Sequence, residues 1–110
     1  MNSYKYGIFS EYFMILYLIL KGYKILKRRY KTKVGEIDIL ATKGKDLIAF
    51  EVKARKHQKL TTEIVTKSQL TRIQNTLNFF ITKNNKYIDY NVYCSIILFR
   101  NIFNFKFFLV

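Results

Sequence analysis

Two short segments of the sequence, GEIDIL and LIAFEVK, carry acidic and basic side chains in otherwise apolar surroundings. Glu36 and Asp38 lie in the first segment, and Glu51 and Lys53 lie in the second. Carboxylate oxygens are the ligands that Mg²⁺ and Mn²⁺ prefer, and a nearby lysine can stabilise negative charge that develops on a phosphoryl oxygen. If the fold brings the two segments together, they predict metal-assisted chemistry on a phosphate.

The sequence KGKD between those segments predicts that they form the two strands of a β-hairpin. A two-residue turn at Gly44 and Lys45 suits a type II′ turn, whose first central position favours glycine. In the register that this turn sets, Asp38 lies opposite Glu51 on the neighbouring strand. A turn at Lys43 and Gly44 is the alternative, and it would shift the partners by two residues while keeping the same four charges on one face. Two facing carboxylates repel each other unless a cation or a proton lies between them. The pair therefore predicts a site for Mg²⁺ or Mn²⁺.

The same register gives the four charged residues a common face of the hairpin. Because side chains alternate across a strand, Ile37 and Ile39 are expected together on the opposite face, with Ile39 against Phe50. Glu36 then lies opposite Lys53. An ion pair between Glu36 and Lys53 on a solvated hairpin face is an alternative explanation that needs no metal.

Apolar patterns on both sides of the hairpin predict the remaining elements. Leu70, Ile73, Leu77 and Phe80 recur at spacings of three and four residues, which is typical of a helix. The predicted elements are a helix at 10–21, strands at 23–31, 34–42 and 46–55, a helix at 62–82, and strands at 88–99 and 102–110. Their order is α-β-β-β-α-β-β, and a chain of 110 residues suits one domain with one core.

The charge balance of the chain points to a polyanionic partner. Twenty Lys and Arg residues against seven Asp and Glu residues give a net charge of +13. Nucleic acid is the first candidate partner and an anionic membrane surface is the second. The basic residues expected to contact a nucleic-acid backbone are Lys27, Arg28, Arg29, Lys31, Lys33, Arg55, Lys56 and Lys59. A solvated basic face without a partner is the alternative.

Two features bear on the cellular compartment. The single Cys94 cannot form an internal disulfide, which suits a reducing cytoplasm. The apolar run YFMILYLIL has nine residues, fewer than the roughly 20 that a transmembrane helix needs, and it lacks a signal-peptide cleavage site. We therefore expect a cytoplasmic protein with a buried N-terminal helix and no membrane span.

The strings GEIDIL and LIAFEVKAR closely resemble the signature of the YraN-like family, an uncharacterised bacterial family. That family is assigned to the restriction-endonuclease-like fold and is similar to Holliday-junction resolvases. The resemblance extends from about residue 10 to about residue 92. It implies an α/β fold of the α+β type with a mixed sheet. This fold has a restriction-endonuclease-like α-β-β-β-α-β core, a further C-terminal strand and one nuclease-like domain, 1–110.

The resemblance also implies roles for individual residues. Asp38, Glu51 and Lys53 would be the catalytic set, with the two acids binding the metal ion and Lys53 acting as the catalytic lysine. Glu11 matches a family glutamate on the first helix, which in resolvase-like relatives completes the metal site. The implied cofactor is Mg²⁺ or Mn²⁺.

Other positions match the family pattern only in part. Glu36 belongs to the motif and is expected to support the metal ligands or to pair with Lys53. Gln69 stands where a lysine is usual near the start of the long helix, and it can still face the site. Arg29 stands where an asparagine is usual, and Asn91 where an aspartate is usual. These departures concern the substrate contacts more than the metal site.

Together these observations predict a metal-dependent endonuclease-type domain that hydrolyses DNA, including branched DNA, in preference to RNA. A homodimer is expected if the substrate is a four-way junction, because such a junction has two cut sites. A non-catalytic nucleic-acid-binding module and a membrane-surface protein are the alternatives. His57 is a candidate general base, although a lone histidine in a lysine-rich loop is more often solvated.

Overall fold

A computed structural model describes residues 2–56 and 65–110, which form one five-stranded β-sheet with a helix on each face. The elements are α1 (Ser3–Leu20), β1 (Lys24–Thr32), β2 (Gly35–Lys43), β3 (Asp46–Ala54), α2 (Lys67–Lys83), β4 (Asn91–Asn101) and β5 (Asn104–Leu109), with a 3₁₀ turn at Asn85–Tyr87. The strands lie in the order β1-β2-β3-β4-β5, and only β3 and β4 are parallel. The predicted element order and mixed-sheet class are confirmed, and they are consistent with an α/β nuclease-like core.

Side-chain caps fix where both helices begin. The Asn2 side chain accepts a hydrogen bond from the Lys5 N–H, so α1 begins well before the predicted residue 10. The Thr66 side chain accepts a hydrogen bond from the Gln69 N–H and begins α2. The predicted start of this second helix, at 62, lies outside the described residues. Within the described ranges, no helix is long and apolar enough to cross a membrane.

The two helices cover opposite faces of the sheet. Met14 and Leu18 of α1 are buried against one face. Ile73, Leu77 and Phe80 of α2 are buried against the other face, as their spacing predicted. The central strands are therefore apolar on both faces, because both faces are covered.

The β2–β3 hairpin has the predicted turn and register. Gly44 has a φ of +59°, as the first central position of a type II′ turn requires. The strands pair from Lys43 with Asp46 through to Ile39 with Phe50. That ladder ends one residue before Asp38, so the acidic residue lies where the two strands begin to separate.

The predicted alternation of β2 is wrong at Asp38. Ile37 packs in the core beneath α2, whereas Ile39 packs in the core beneath α1. On the neighbouring strand β1, Arg28 pairs with Ile39 and Tyr30 pairs with Ile37, which places Arg29 opposite Asp38. Arg29 has a φ of +50°, a left-handed conformation that interrupts strand alternation. The break changes which face the following side chains occupy and sets Asp38 apart from the regular sheet.

Candidate active site

Asp38 and Glu51 bring their carboxyl groups into contact at the open end of the β2–β3 hairpin. Asp38 Oδ2 accepts a hydrogen bond of 2.9 Å from the Val52 N–H. Burial, and then the hydrogen bond and the charge of Glu51, raise the pKa of Asp38 to about 8, while the Val52 N–H and Lys53 oppose the shift. Near neutral pH, Asp38 therefore retains a proton much more readily than an exposed aspartate does. The structure brings together the two acids that the hairpin register predicted.

Gln69 of α2 forms a hydrogen bond with Glu51 of β3. Its Nε2 donates a hydrogen bond of 2.8 Å to Glu51 Oε2. Gln69 lies in the first turn of α2, and its own N–H is bonded to the Thr66 cap. The N-terminal cap of α2 thus fixes the side chain that orients one carboxylate of the pair. Gln69 lies beside the site, as expected from its place in the sequence.

A pocket of about 480 Å³ opens beside the acid pair, between the start of β2, the end of β3 and the first turns of α2. Glu36 and Glu51 contribute carboxylates to its lining. Lys31, Lys53 and Arg72 contribute three cations to the same lining. A space that combines carboxylates with surrounding cations can receive a metal ion together with a phosphate group.

Arg72 was not identified from the sequence. It lies three residues after Gln69 on α2, and residues at this spacing share a helix face. The three-residue spacing was a usable signal in the sequence, because a helix that directs Gln69 into the site also directs Arg72 towards it. The sequence does not reveal the rotation of the helix relative to the sheet, and that rotation decides whether Arg72 or a neighbour lines the pocket.

The basic residues predicted to contact nucleic acid do not form one surface. Lys31 lines the pocket, but the Arg28 guanidinium lies 4.5 Å from the ring centroid of Tyr12 on the α1 side of the sheet. The Lys56 ammonium lies 4.7 Å from the ring centroid of Tyr6, which is also on α1. Lys31 therefore lies apart from Arg28 and Lys56, and contact of each of these residues with a nucleic-acid backbone stays a prediction.

Three other predicted basic contacts lie outside the pocket lining. The Lys27 ammonium lies 5.7 Å from the Tyr30 ring centroid, and Arg55 donates a hydrogen bond to the Ala54 carbonyl. Lys33 is exposed in the turn between β1 and β2. The predicted contact at Lys59 and the candidate base His57 lie outside the described residues.

Glu11 is engaged with Arg29. The Arg29 Nε donates to Glu11 Oε1 at 2.9 Å, and the Glu11 side chain is only 13% exposed. Within residues 2–56 and 65–110, no three His, Cys, Asp or Glu side chains are grouped closely enough to hold a metal ion. The structure therefore brings Asp38 and Glu51 together without Glu11, whose role as a third ligand stays a prediction. Arg29 faces this glutamate instead of the pocket.

Glu36 and Asn91 complete the set of residues considered in the sequence. Glu36 is exposed at the pocket, and neither ion pair found among the described residues joins it to Lys53. Asn91 donates a hydrogen bond to Asp46 at the hairpin-turn end of β3, away from the acid pair. The departure from the family pattern at Asn91 therefore does not alter the candidate site.

Comparison with known proteins places the chain in a family. A model of the uncharacterised protein family UPF0102 matches residues 10–100. A UPF0102 protein of Campylobacter hominis is 36% identical over 92 residues, which cover 84% of this chain and 82% of the relative. A UPF0102 protein of Fusobacterium nucleatum is 38% identical over 94 residues, covering 84% and 78% of the two chains. A third, from Clostridioides difficile, is 38% identical over 87 residues, covering 77% and 76%. The match spans both strands of the acidic hairpin, all of α2 and α1 from residue 10 onwards, and the chain belongs to family UPF0102, the YraN family.

Proposed function

We propose that the protein is a metal-dependent phosphodiesterase that cleaves nucleic acid, with DNA as the preferred substrate. The observation that carries the proposal is the contact between the Asp38 and Glu51 carboxyl groups, with Glu51 two positions before Lys53 and lining a pocket that also holds cations. The preference for DNA comes from the resemblance of the GEIDIL and LIAFEVKAR strings to those of resolvase-like nucleases.

The chemistry of the acid pair fits Mg²⁺ or Mn²⁺. Placing two partly buried carboxyl groups in contact costs free energy unless a proton or a cation lies between them, and the pKa of Asp38 is raised by its own burial and then by Glu51. A divalent cation relieves the same repulsion, and hard cations favour carboxylate oxygens. Asp38 and Glu51 would hold the ion, which when bound supplies a Lewis acid for the phosphate and for an attacking water.

The remaining residues would position and stabilise the reacting groups. The Val52 N–H and the Gln69 amide fix one oxygen each of Asp38 and Glu51, so the two ligands are oriented before any metal binds. The Lys53 ammonium would stabilise the negative charge that grows on the phosphoryl oxygens. Lys31 and Arg72 would hold the flanking phosphates, which gives affinity without sequence specificity.

A non-catalytic nucleic-acid-binding module is the second candidate function. The observation that favours it is the ion pair between Glu11 and Arg29, which engages the expected third metal ligand with an arginine. A site with two carboxylates binds a divalent cation less firmly than a site with three. The binding module predicts nucleic-acid affinity that persists in EDTA and no cleavage with any divalent ion.

A cleavage assay with three variants tests the proposed function. We expect the wild-type protein to cut branched, flapped or linear DNA in Mn²⁺. Lys53→Ala should lower the rate by roughly 10²–10³-fold, because the group that stabilises the transition-state charge is lost. Asp38→Ala should abolish cleavage. Lys45→Ala is the matched control, since Lys45 lies in the hairpin turn at the other end of β3 and its side chain is 69% exposed.

Two results would contradict the proposed phosphodiesterase. Cleavage that survives both Asp38→Ala and Lys53→Ala would show that the acid pair is not the site. Binding of DNA in EDTA, with no cleavage of any of the three substrates by the wild-type protein, would favour the binding module.

Arg72 provides a separate test of how nucleic acid reaches the pocket. Arg72→Ala should weaken DNA binding several-fold and reduce the salt dependence of log K by about one phosphate contact. Arg28→Ala removes the same charge from the other side of the sheet, so it should change the affinity much less. Fluorescence anisotropy at a series of salt concentrations measures both effects. Equal losses for the two variants would show that net charge, and not the pocket, governs binding.

A further inference from the structure

The outer face of α1 is apolar along most of its length. Its exposed large side chains are Phe9, Tyr12, Leu16 and Ile19, which are spaced three or four residues apart, and Leu20, which follows Ile19 directly. Leu16 is 56% exposed and Leu20 is 77% exposed. From Phe9 to Leu20 the stripe is roughly 17 Å long.

Such a helix is unusual for a surface position. An amphipathic surface helix pairs an apolar inner stripe with a polar outer face, whereas a helix that is apolar all round is normally covered on every side. Met14 and Leu18 already cover the sheet from the inner side of α1. The outer stripe is therefore a second apolar surface, and contiguous exposed apolar patches mark sites of interaction.

Cations surround this stripe. Lys5 lies on the same helix, one turn before Phe9, and is exposed. The Arg28 guanidinium lies over the ring of Tyr12, and the exposed Lys24 begins the adjacent strand β1. The only acid on α1 is Glu11, which is paired with Arg29. The surface thus combines an apolar centre with a positive margin.

We propose that the outer face of α1 docks on the surface of an anionic lipid bilayer. An interfacial helix buries its apolar side at the boundary between head groups and acyl chains, and lysine and arginine beside it reach the anionic head groups. Tyr12 suits the same boundary, because its ring is apolar and its hydroxyl is polar. The helix lies in the plane of the membrane surface in this arrangement.

Charge favours the bilayer over a second copy of the chain as the partner. Two copies that met through α1 would bring two chains of net charge +13 together and would place Lys5 and Arg28 of each copy near those of the other. An anionic bilayer complements the same charges. The docking does not depend on the proposed phosphodiesterase activity, because the pocket with Glu51, Lys53 and Arg72 lies beside α2, on the other face of the sheet.

Vesicle co-sedimentation tests the docking. Vesicles of equal parts phosphatidylglycerol and phosphatidylcholine should bind the protein, and vesicles of phosphatidylcholine alone should bind it much more weakly. The double variant Leu16→Glu/Leu20→Glu should bind anionic vesicles roughly tenfold or more weakly, because two apolar side chains that the bilayer would bury are replaced by charges that the lipid repels. Arg28→Ala should weaken binding roughly fivefold.

Ile88→Glu is the matched control for the double variant. Ile88 is also largely exposed, but it follows the 3₁₀ turn that packs with α2 on the opposite face of the sheet. Circular dichroism melting should show that all variants remain folded, since the substituted side chains are exposed. Equal vesicle binding by the wild-type protein and the double variant would overturn the proposal. An absence of vesicle binding by the wild-type protein would also overturn it. If the wild-type protein were then a dimer in sedimentation velocity, and Leu16→Glu/Leu20→Glu dissociated that dimer, the partner of α1 would be a second copy of the chain.

Discussion

Asp38→Asn should stabilise the metal-free protein at pH 8 by about 1–3 kcal/mol while abolishing Mn²⁺ binding and DNA cleavage. Asparagine keeps an oxygen that can accept the Val52 N–H, and its amide can donate to Glu51. The substitution therefore removes the repulsion between two partly buried carboxylates without leaving a hydrogen bond unmade. It also removes a charged ligand that the metal requires.

The pH dependence of stability identifies the origin of this effect. The pKa of Asp38 in the folded protein is raised to about 8 from an ordinary value of 3.8, so the folded state holds the proton more tightly than the unfolded state. The contribution of Asp38 to the free energy of unfolding is then fully present below about pH 4 and is lost as the pH rises through about 8. Thermal melting in EDTA should show this decline for the wild-type protein and a smaller decline for Asp38→Asn.

Glu36→Gln provides the control for Asp38→Asn. Glu36 lies on the same strand, but it is exposed, and its loss removes the same formal charge. We expect the free energy of unfolding of this variant to lie within about 0.5 kcal/mol of the wild-type value at every pH. Destabilisation by Asp38→Asn at pH 8, or an equal gain from Glu36→Gln, would contradict the repulsive carboxyl pair.

The hairpin and its acid pair could be predicted because they depend on local information. Gly44 selects a two-residue turn, the turn sets the register, and the register brings Asp38 towards Glu51. The apolar spacing in α2 likewise indicates which side of that helix is buried. Each of these inferences needs only residues close together in sequence, so the chain order and the pair could be predicted before the tertiary structure was known.

The features that could not be predicted depend on tertiary packing. The left-handed conformation of Arg29 is rare for a residue with a β-carbon, and the position is not occupied by glycine or asparagine, the residue types that would indicate it. It redirects β2 at Asp38 and lets Arg29 meet Glu11, which is 18 positions away in sequence. The positions of Arg28 and Arg72 on opposite faces of the sheet follow from the same kind of information, since each depends on how an element is rotated against its neighbours.

Gly35→Ala should destabilise the protein by about 3 kcal/mol or more and should also disturb the site. Gly35 begins β2 with a φ of +150°, which side chains disfavour. A β-carbon there would lie 2.7 Å from Thr76 Oγ1 and 2.8 Å from the Arg72 carbonyl oxygen. Thr76 is buried and its hydroxyl donates to that same carbonyl, so neither atom can give way independently. The whole of α2 must move away from β2 to admit one methyl group.

Gly44→Ala separates this clash from backbone strain alone. Gly44 also has a positive φ, of +59°, but nothing lies within 4 Å of the position that its β-carbon would take. Chemical denaturation should therefore show a free energy of unfolding lower by only about 1–2 kcal/mol, which is the strain of a left-handed residue with a β-carbon. Equal losses of stability for the two glycine variants would contradict a tight contact between β2 and α2.

The larger loss of stability at Gly35 should be accompanied by weaker DNA binding in the folded fraction, because Gln69 and Arg72 move with the helix that carries them. At Gly44, binding should persist, since its turn lies at the far end of the hairpin from the acid pair.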